Sequence, residues 1–252
     1  AVVVTDGDAA LAERHVTALA DGFFEHRAEI QAKLVGLDEA IEGAKRLDGT
    51  VIFTAAADAT SSGATGDSNL IIKGLLEQGY QGRILAPVTD APAVARAFEL
   101  GVGGAGSFTV GGSLDPRFEP LAIEGRVVLL SDGRYTLESW QTPEIGGHCA
   151  VIEAGNLTLV MTSRPEQLFD RSLFLAHGRD PSSFDLVVVK SPHTQPQFFE
   201  AYATANFNVD VAGSTSANLP TLGHTRCARP IYPLEPETTF EPSVEIYGQP
   251  AR

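Results

Sequence analysis

Three stretches of this sequence combine charged, hydroxyl and glycine residues just where an apolar run ends. Asp58, Ser61, Ser62, Gly63 and Asp67 follow Val51-Ile52-Phe53. Lys190-Ser191-Pro192-His193 follows the run FDLVVV, and Asp210 with Gly213-Ser214-Thr215-Ser216 closes another apolar segment. Small residues let a ligand come close to the backbone, and a helix start leaves N–H donors free. A carboxylate, an ammonium and several hydroxyls at strand ends can therefore bind a polar ligand. The same residues can also serve only the fold, with Asp67 or Thr65 capping the following helix and Gly63 and Gly66 making its turn. Both readings stay open on residue types alone.

Other chemistries are easier to set aside. A phosphate-binding loop needs a lysine directly after its last glycine, and Asp67 occupies that place. The six histidines and two cysteines show no HExxH and no close Cys/His cluster, so no metal site and no catalytic residue is expected in this chain. Ser163-Arg164 can hold a carboxylate through the guanidinium fork or make a structural ion pair. A formal charge of −14 gives no electrostatic basis for binding nucleic acid or an anionic membrane surface. Cys149 and Cys227 could pair, but a reduced, cytoplasmic protein is the default expectation. No apolar run approaches the ~20 residues that span a bilayer. The start AVVVTDGD reads as if the chain opens inside a longer protein, with Val2-Val3-Val4 a buried strand and Asp6-Gly7-Asp8 the turn into a helix.

Two helices are expected between Ala9 and about Arg46, covering one face of a sheet. Strands at 51–53 and 83–86 then alternate with helices at 67–78 and 91–100. Over 106–165, short β-rich runs separated by glycine-rich turns indicate an antiparallel β insert, with Ser131-Asp132-Gly133 its clearest hairpin signal. A buried strand at 184–190, a helix at 197–206 and a strand at 208–211 follow, and the proline-rich segment from Arg229 should lie extended over the surface. The fold class is therefore α/β, a mainly parallel sheet with flanking helices and the antiparallel insert. In such a sheet the three polar stretches should share the crevice outside the carboxyl ends of the strands.

Several ordered blocks point further. They are the opening VVVTDGDAALAE, the glycine-rich loop ending in Gly66-Asp67, GVGG at 101–104, GG-x-x-DP at 111–116 and L-x-DGRY at 130–135. LVMTSRPEQLFD at 159–170, VVVKS at 187–191, GSTSANL at 213–219 and RPIYPLEP at 229–236 continue the series. Together they resemble the C-terminal domain of the microcystinase C (MlrC) family of bacterial metallopeptidases, over nearly the whole chain. The resemblance implies a two-domain enzyme whose N-terminal metallopeptidase domain carries zinc and the catalytic acid and lies outside this chain. The chain alone would then be inactive and would form part of a peptide-binding cleft against that partner domain.

On that resemblance, Asp58 would meet an amine or amide of a peptide-like substrate. Lys190 and the backbone N–H groups of 62–67 would meet a carboxylate, with Ser61, Ser62, Gly63, Asp67, Ser191, His193, Ser214 and Ser216 lining the cleft. Two departures stand out. The family's loop runs D-N-x-G-G-G, whereas Asp58 is followed here by Ala59-Thr60-Ser61-Ser62-Gly63, and the family's K-S-x-x-H-F is shifted at Lys190-Ser191-Pro192-His193. The alternative is a non-catalytic α/β domain that binds a small polar ligand or a protein partner.

Overall fold

A computed structural model describes residues 1–192, 197–199 and 201–248. The chain divides into two compact units, residues 1–32 with 223–252, and residues 33–222. In the first unit, helix α1 (Ala9–Glu25) starts where Asp8 accepts a hydrogen bond from Leu11 N at 2.8 Å. Phe24 stacks on Phe240 with ring centroids 5.1 Å apart, and the Arg27 guanidinium lies over Phe24 and Tyr232. Val2-Val3-Val4 is not the buried strand its β-branched run suggests: it pairs with no strand among the described residues, and Val2 and Val4 are 89% and 90% exposed.

The second unit is α/β. In chain order it contains β1 (Val35–Gly36), α2 (Leu37–Ala44), β2 (Thr50–Thr54), α3 (Leu70–Glu77), β3 (Ile84–Thr89), α4 (Ala91–Leu100), β4 (Ala105–Val110) and β5 (Leu121–Ser131). There follow β6 (Arg134–Thr136), β7 (Pro143–Ile145), β8 (Cys149–Ala154), β9 (Leu157–Thr162), α5 (Ser172–Ala176), β10 (Leu186–Val189) and β11 (Ala203–Asp210). Nine strands form one sheet in the order β1-β11-β2-β10-β3-β9-β8-β5-β4. The run from β1 to β9 is parallel, and β8, β5 and β4 extend it antiparallel. The expected antiparallel block over 106–165 thus joins the parallel sheet edge to edge, apart from the small β6–β7 pair.

Every residue of β2, β3, β9 and β10 is buried, as expected of parallel strands covered on both faces. Their alternate side chains enter two cores. Val51, Phe53, Ile84, Ala86, Val88 and Val188 pack with residues of α2, α3 and α4, while Ile52, Leu85, Val160, Val187 and Val189 pack with Leu173 and Phe174 of α5.

Two local readings differ from the sequence pattern. Asp132-Gly133 does not close a hairpin between its neighbours, because β5 pairs with β8 and β6 with β7. The two-residue hairpin turn is Gly155-Asn156, where Ala154 faces Leu157 and Gly155 has φ +62°. The expected helix over 197–206 is replaced from Ala203 onward by β11, which pairs with β2, so tertiary pairing overrides a segment whose polar and aromatic residues also fit a helix.

Candidate functional site

All five long parallel strands point their carboxyl ends the same way, so the loops after Thr54, Thr89, Thr162, Val189 and Asp210 collect at one end of the sheet. At its centre, Lys190 Nζ lies 3.0 Å from Asp58 Oδ2, with the two residues 3% and 1% exposed. The ammonium also donates to Gly66 O at 2.6 Å and Ser68 O at 2.7 Å. Asp58 in turn accepts from Gly66 N at 2.9 Å and Ser68 N at 2.8 Å. One ion pair thereby fastens both the N–H and the C=O of Gly66 and of Ser68, which holds the 58–68 loop as a closed ring. Gly66 is needed there: its φ is +76°, and a Cβ would lie 2.6 Å from Thr60 Cγ2 and from Thr89 Oγ1.

The loop after β11 closes against the same ring. Thr215 Oγ1 accepts from Ala59 N at 3.1 Å and donates to Ala56 O at 2.8 Å, and Thr215 N donates to Ala57 O. Gly213 packs so near that a Cβ would sit 2.0 Å from Ala57 O. Ser216 is buried and accepts from Asn218 N, whose side chain donates to Asp210.

Asp67 does not cap α3. The residue at the cap position is Asn69, which makes no side-chain capping bond, whereas Asp67 accepts from the Thr65 hydroxyl and from Leu114 N at 2.7 Å and Asp115 N at 2.9 Å. It clasps the segment after β4. Asp90, unremarked in the sequence, works beside it, accepting from Ala93 N to cap α4 and from Gly111 N at 2.7 Å. Burial pushes the Asp90 carboxyl above its ordinary range; the two backbone donors oppose that shift and the charge of Asp67 adds to it. The signal for Asp90 was present, since an aspartate directly before Ala-Pro-Ala marks a helix start.

Glu166 is the second residue that residue types alone did not flag. It is 5% exposed, accepts from the Tyr135 hydroxyl at 2.6 Å, and its backbone carbonyl accepts from Thr60. Burial raises its pKa, and the Tyr135 bond and Arg164 oppose that rise. A small cavity lined by Thr60, Gly66, Thr89, Thr162, Glu166 and Lys190 joins the two clusters. Nearby, burial pushes the Cys149 thiol up to about 12, which keeps it protonated. Arg164 is exposed and Cys149 and Cys227 are both free thiols.

The structure thus brings Asp58, Asp67, Lys190, Ser191 and Ser216 together as buried groups, while Ser61, Ser62, Gly63 and Ser214 are exposed. His193 lies outside the described residues. Among the described residues no three His, Cys, Asp or Glu side chains come together as a metal-binding group. No helix among them is long and apolar enough to cross a membrane.

Residues 54–226, from the end of β2 through the Gly213 loop, match the family described as MlrC C-terminus. The chain belongs to this family. Microcystinase C from a Sphingomonas species is 26% identical over 187 residues, which are 74% of this chain and 36% of that protein. A solved structure named "putative metallopeptidase", from Mesorhizobium sp. BNC1, superposes with a TM-score of 0.79 at 26% identity, covering 91% of this chain and 47% of its own. This MlrC C-terminal chain spans less than half the length of either relative.

Proposed function

We propose that this chain is the substrate-positioning part of an MlrC-like zinc peptidase whose metal lies in a separate N-terminal domain. The observation that carries the reading is the family match over 54–226, because those residues include every loop that collects at the carboxyl ends of the strands. The length of both relatives beyond the matched part supports a partner domain. The chain's own contribution is to bind and orient a peptide. Asp58 and Lys190 hold the loop rigid, and the exposed hydroxyls and backbone of Ser61, Ser62, Gly63 and Ser214 pair with peptide amide groups at its rim. Groups held before the substrate arrives spare the ordering entropy that a mobile loop would lose on binding.

Joining this chain to the metal-bearing half tests the reading. Hydrolysis of peptides that needs both halves and zinc is the expected result. Stoichiometric zinc bound by residues 1–252 alone after dialysis, or peptide turnover by that segment alone, would overturn it.

A further inference from the structure

The nine-stranded sheet ends in two unlike edges. At one, β1 offers only Val35 and Gly36 before the chain turns into α2, too little backbone for another strand to join. At the other, β4 is six residues long and reads Ala105-Gly106-Ser107-Phe108-Thr109-Val110. Natural sheet edges are usually guarded by charges, prolines or a covering segment. The small β6–β7 pair carries such guards in Arg134, Glu144 and Pro143. Around β4, residues 101–114 contain no charged residue and no proline.

The ladder between β4 and β5 shows which groups are left over. Val127 N donates to Gly104 O, and the register then pairs Gly106 with Gly125, Phe108 with Ile123 and Val110 with Leu121. Bonded pairs alternate along an antiparallel ladder, so these three residues bond β5, while Ala105, Ser107 and Thr109 turn N–H and C=O to the open side. All three are exposed, and among the described residues nothing bonds their backbone from that side. Phe108 and Val110 are buried in the core, so the strand that offers these groups is firmly held.

We propose that the β4 edge is a dimer interface, pairing antiparallel with β4 of a second copy of this chain about a two-fold axis at Ser107. The two sheets would then run on as one, whatever ligand the strand-end loops hold. Charge selects this occupant. A second copy also carries −14 and can come close only where neither surface is charged, which the stretch 101–114 provides. An edge meant for a basic segment would carry acidic residues, and this one has none. Symmetry selects it too. A two-fold at Ser107 sets Ser107 against itself and Ala105 against Thr109, so every outward N–H and C=O finds a partner at once. Gly103-Gly104 and Gly111-Gly112 flank the strand and bring no side chains to collide. The same axis carries Val102 of each copy, 66% exposed, toward the strand end from which the other copy's Leu114, 55% exposed, follows. A single extended peptide on this edge would leave both in water.

Sedimentation equilibrium of the whole chain over a range of concentrations tests the interface. The parent should dimerise reversibly. Ser107→Pro removes an outward N–H, the one place where a strand tolerates proline, so circular dichroism should be unchanged. Because both copies lose the central bond, the dimer Kd should rise roughly 5- to 150-fold. Ser107→Cys gives an independent reading, since Cα atoms of a bonded antiparallel pair lie about 5.5 Å apart, within reach of a disulfide. In a Cys227→Ser background, mild oxidation should link two copies through Ser107→Cys and leave the background alone unlinked. If Ser107→Pro misfolds, the cross-link decides alone. A parent that is monomeric at every concentration overturns the proposal. So does a dimer that Ser107→Pro leaves equally tight, or one that Ser107→Cys does not link. A dimer that vanishes when the chain is joined to the metal-bearing half would give the edge to that half and overturn the proposal as well.

Discussion

Asp58 and Ser61 stand three residues apart on one loop, yet the structure uses them in opposite ways. Asp58 is 1% exposed, with Lys190 and the amides of Gly66 and Ser68 around its carboxylate. Ser61 is exposed, as are Ser62 and Gly63 beside it. The interior of the strand-end crevice is charged and satisfied by itself, and the rim is neutral and open. Charge at such a site is thus no guide to what touches a ligand, because a buried charge must be compensated by the protein before any ligand arrives.

Removing one member of the interior pair sets the largest expected effect. Lys190→Met leaves a buried carboxylate without its cation and should cost about 3–5 kcal/mol in denaturant unfolding. Asp58→Asn should also be costly, since an amide has one acceptor oxygen for the two backbone donors that the carboxylate now serves. The double variant should be less destabilised than the sum of the singles, because the two groups are direct partners. Unchanged stability of Lys190→Met combined with lost peptide turnover in the joined enzyme would erase the distinction between interior and rim and give Lys190 to the substrate.

Much of this arrangement was legible in residue types. Apolar runs ending in polar residues located the loops, and the alternation of strands and helices placed them at one end of a parallel sheet. Lys190 and Asp58 were singled out 132 positions apart and lie 3.0 Å from each other. Their mutual pairing was not legible, because it depends on β10 lying next to β2, an order that periodicity does not encode. The clasp that Asp67 makes was not legible for a similar reason: its partners Leu114 and Asp115 come from a distant segment, whereas residue types suggest only a local cap or an open cleft position. Val2-Val3-Val4 had the composition of a strand, but strands need partners, and composition says nothing about whether one is present.

Glu166 sharpens the comparison from the interior side, since it is buried and, among the described residues, the charge of Arg164 acts on its carboxylate without forming an ion pair with it. Tyr135 supplies one donor, and burial still raises the carboxyl pKa above its ordinary value. A carboxyl whose folded pKa is raised contributes stability that is present below the unfolded value, near 4.5, and is lost as the pH rises through the folded value. Glu166→Gln keeps an acceptor for Tyr135 and removes the charge. Its thermal midpoint should therefore exceed that of the parent at pH 7, and the difference should shrink toward pH 4. A Gln variant that is less stable at pH 7 would show that the ionised carboxylate has a favourable partner in the folded state, and Glu166 would then join Asp58 as a compensated charge.

The smallest expected effect on stability lies at the rim, and there the distinction between fold and function is most exposed to test. Ser61 and Ser62 are exposed, and truncating either to alanine removes a hydroxyl that water can already serve, so stability should stay within about 0.5 kcal/mol. If their hydroxyls or the backbone they carry meet a peptide, the loss appears in the joined enzyme. A neutral hydrogen bond is worth about 0.5–1.5 kcal/mol, which corresponds to a roughly two- to twelvefold fall in kcat/KM. The fall should come through KM if the bond is equally strong in the bound substrate and in the transition state, and through kcat if it forms only in the latter. Equal kcat/KM for the parent, Ser61→Ala and Ser62→Ala would mean that this tip does not reach the substrate, and the rim contacts would then have to come from Ser214 on the opposite loop.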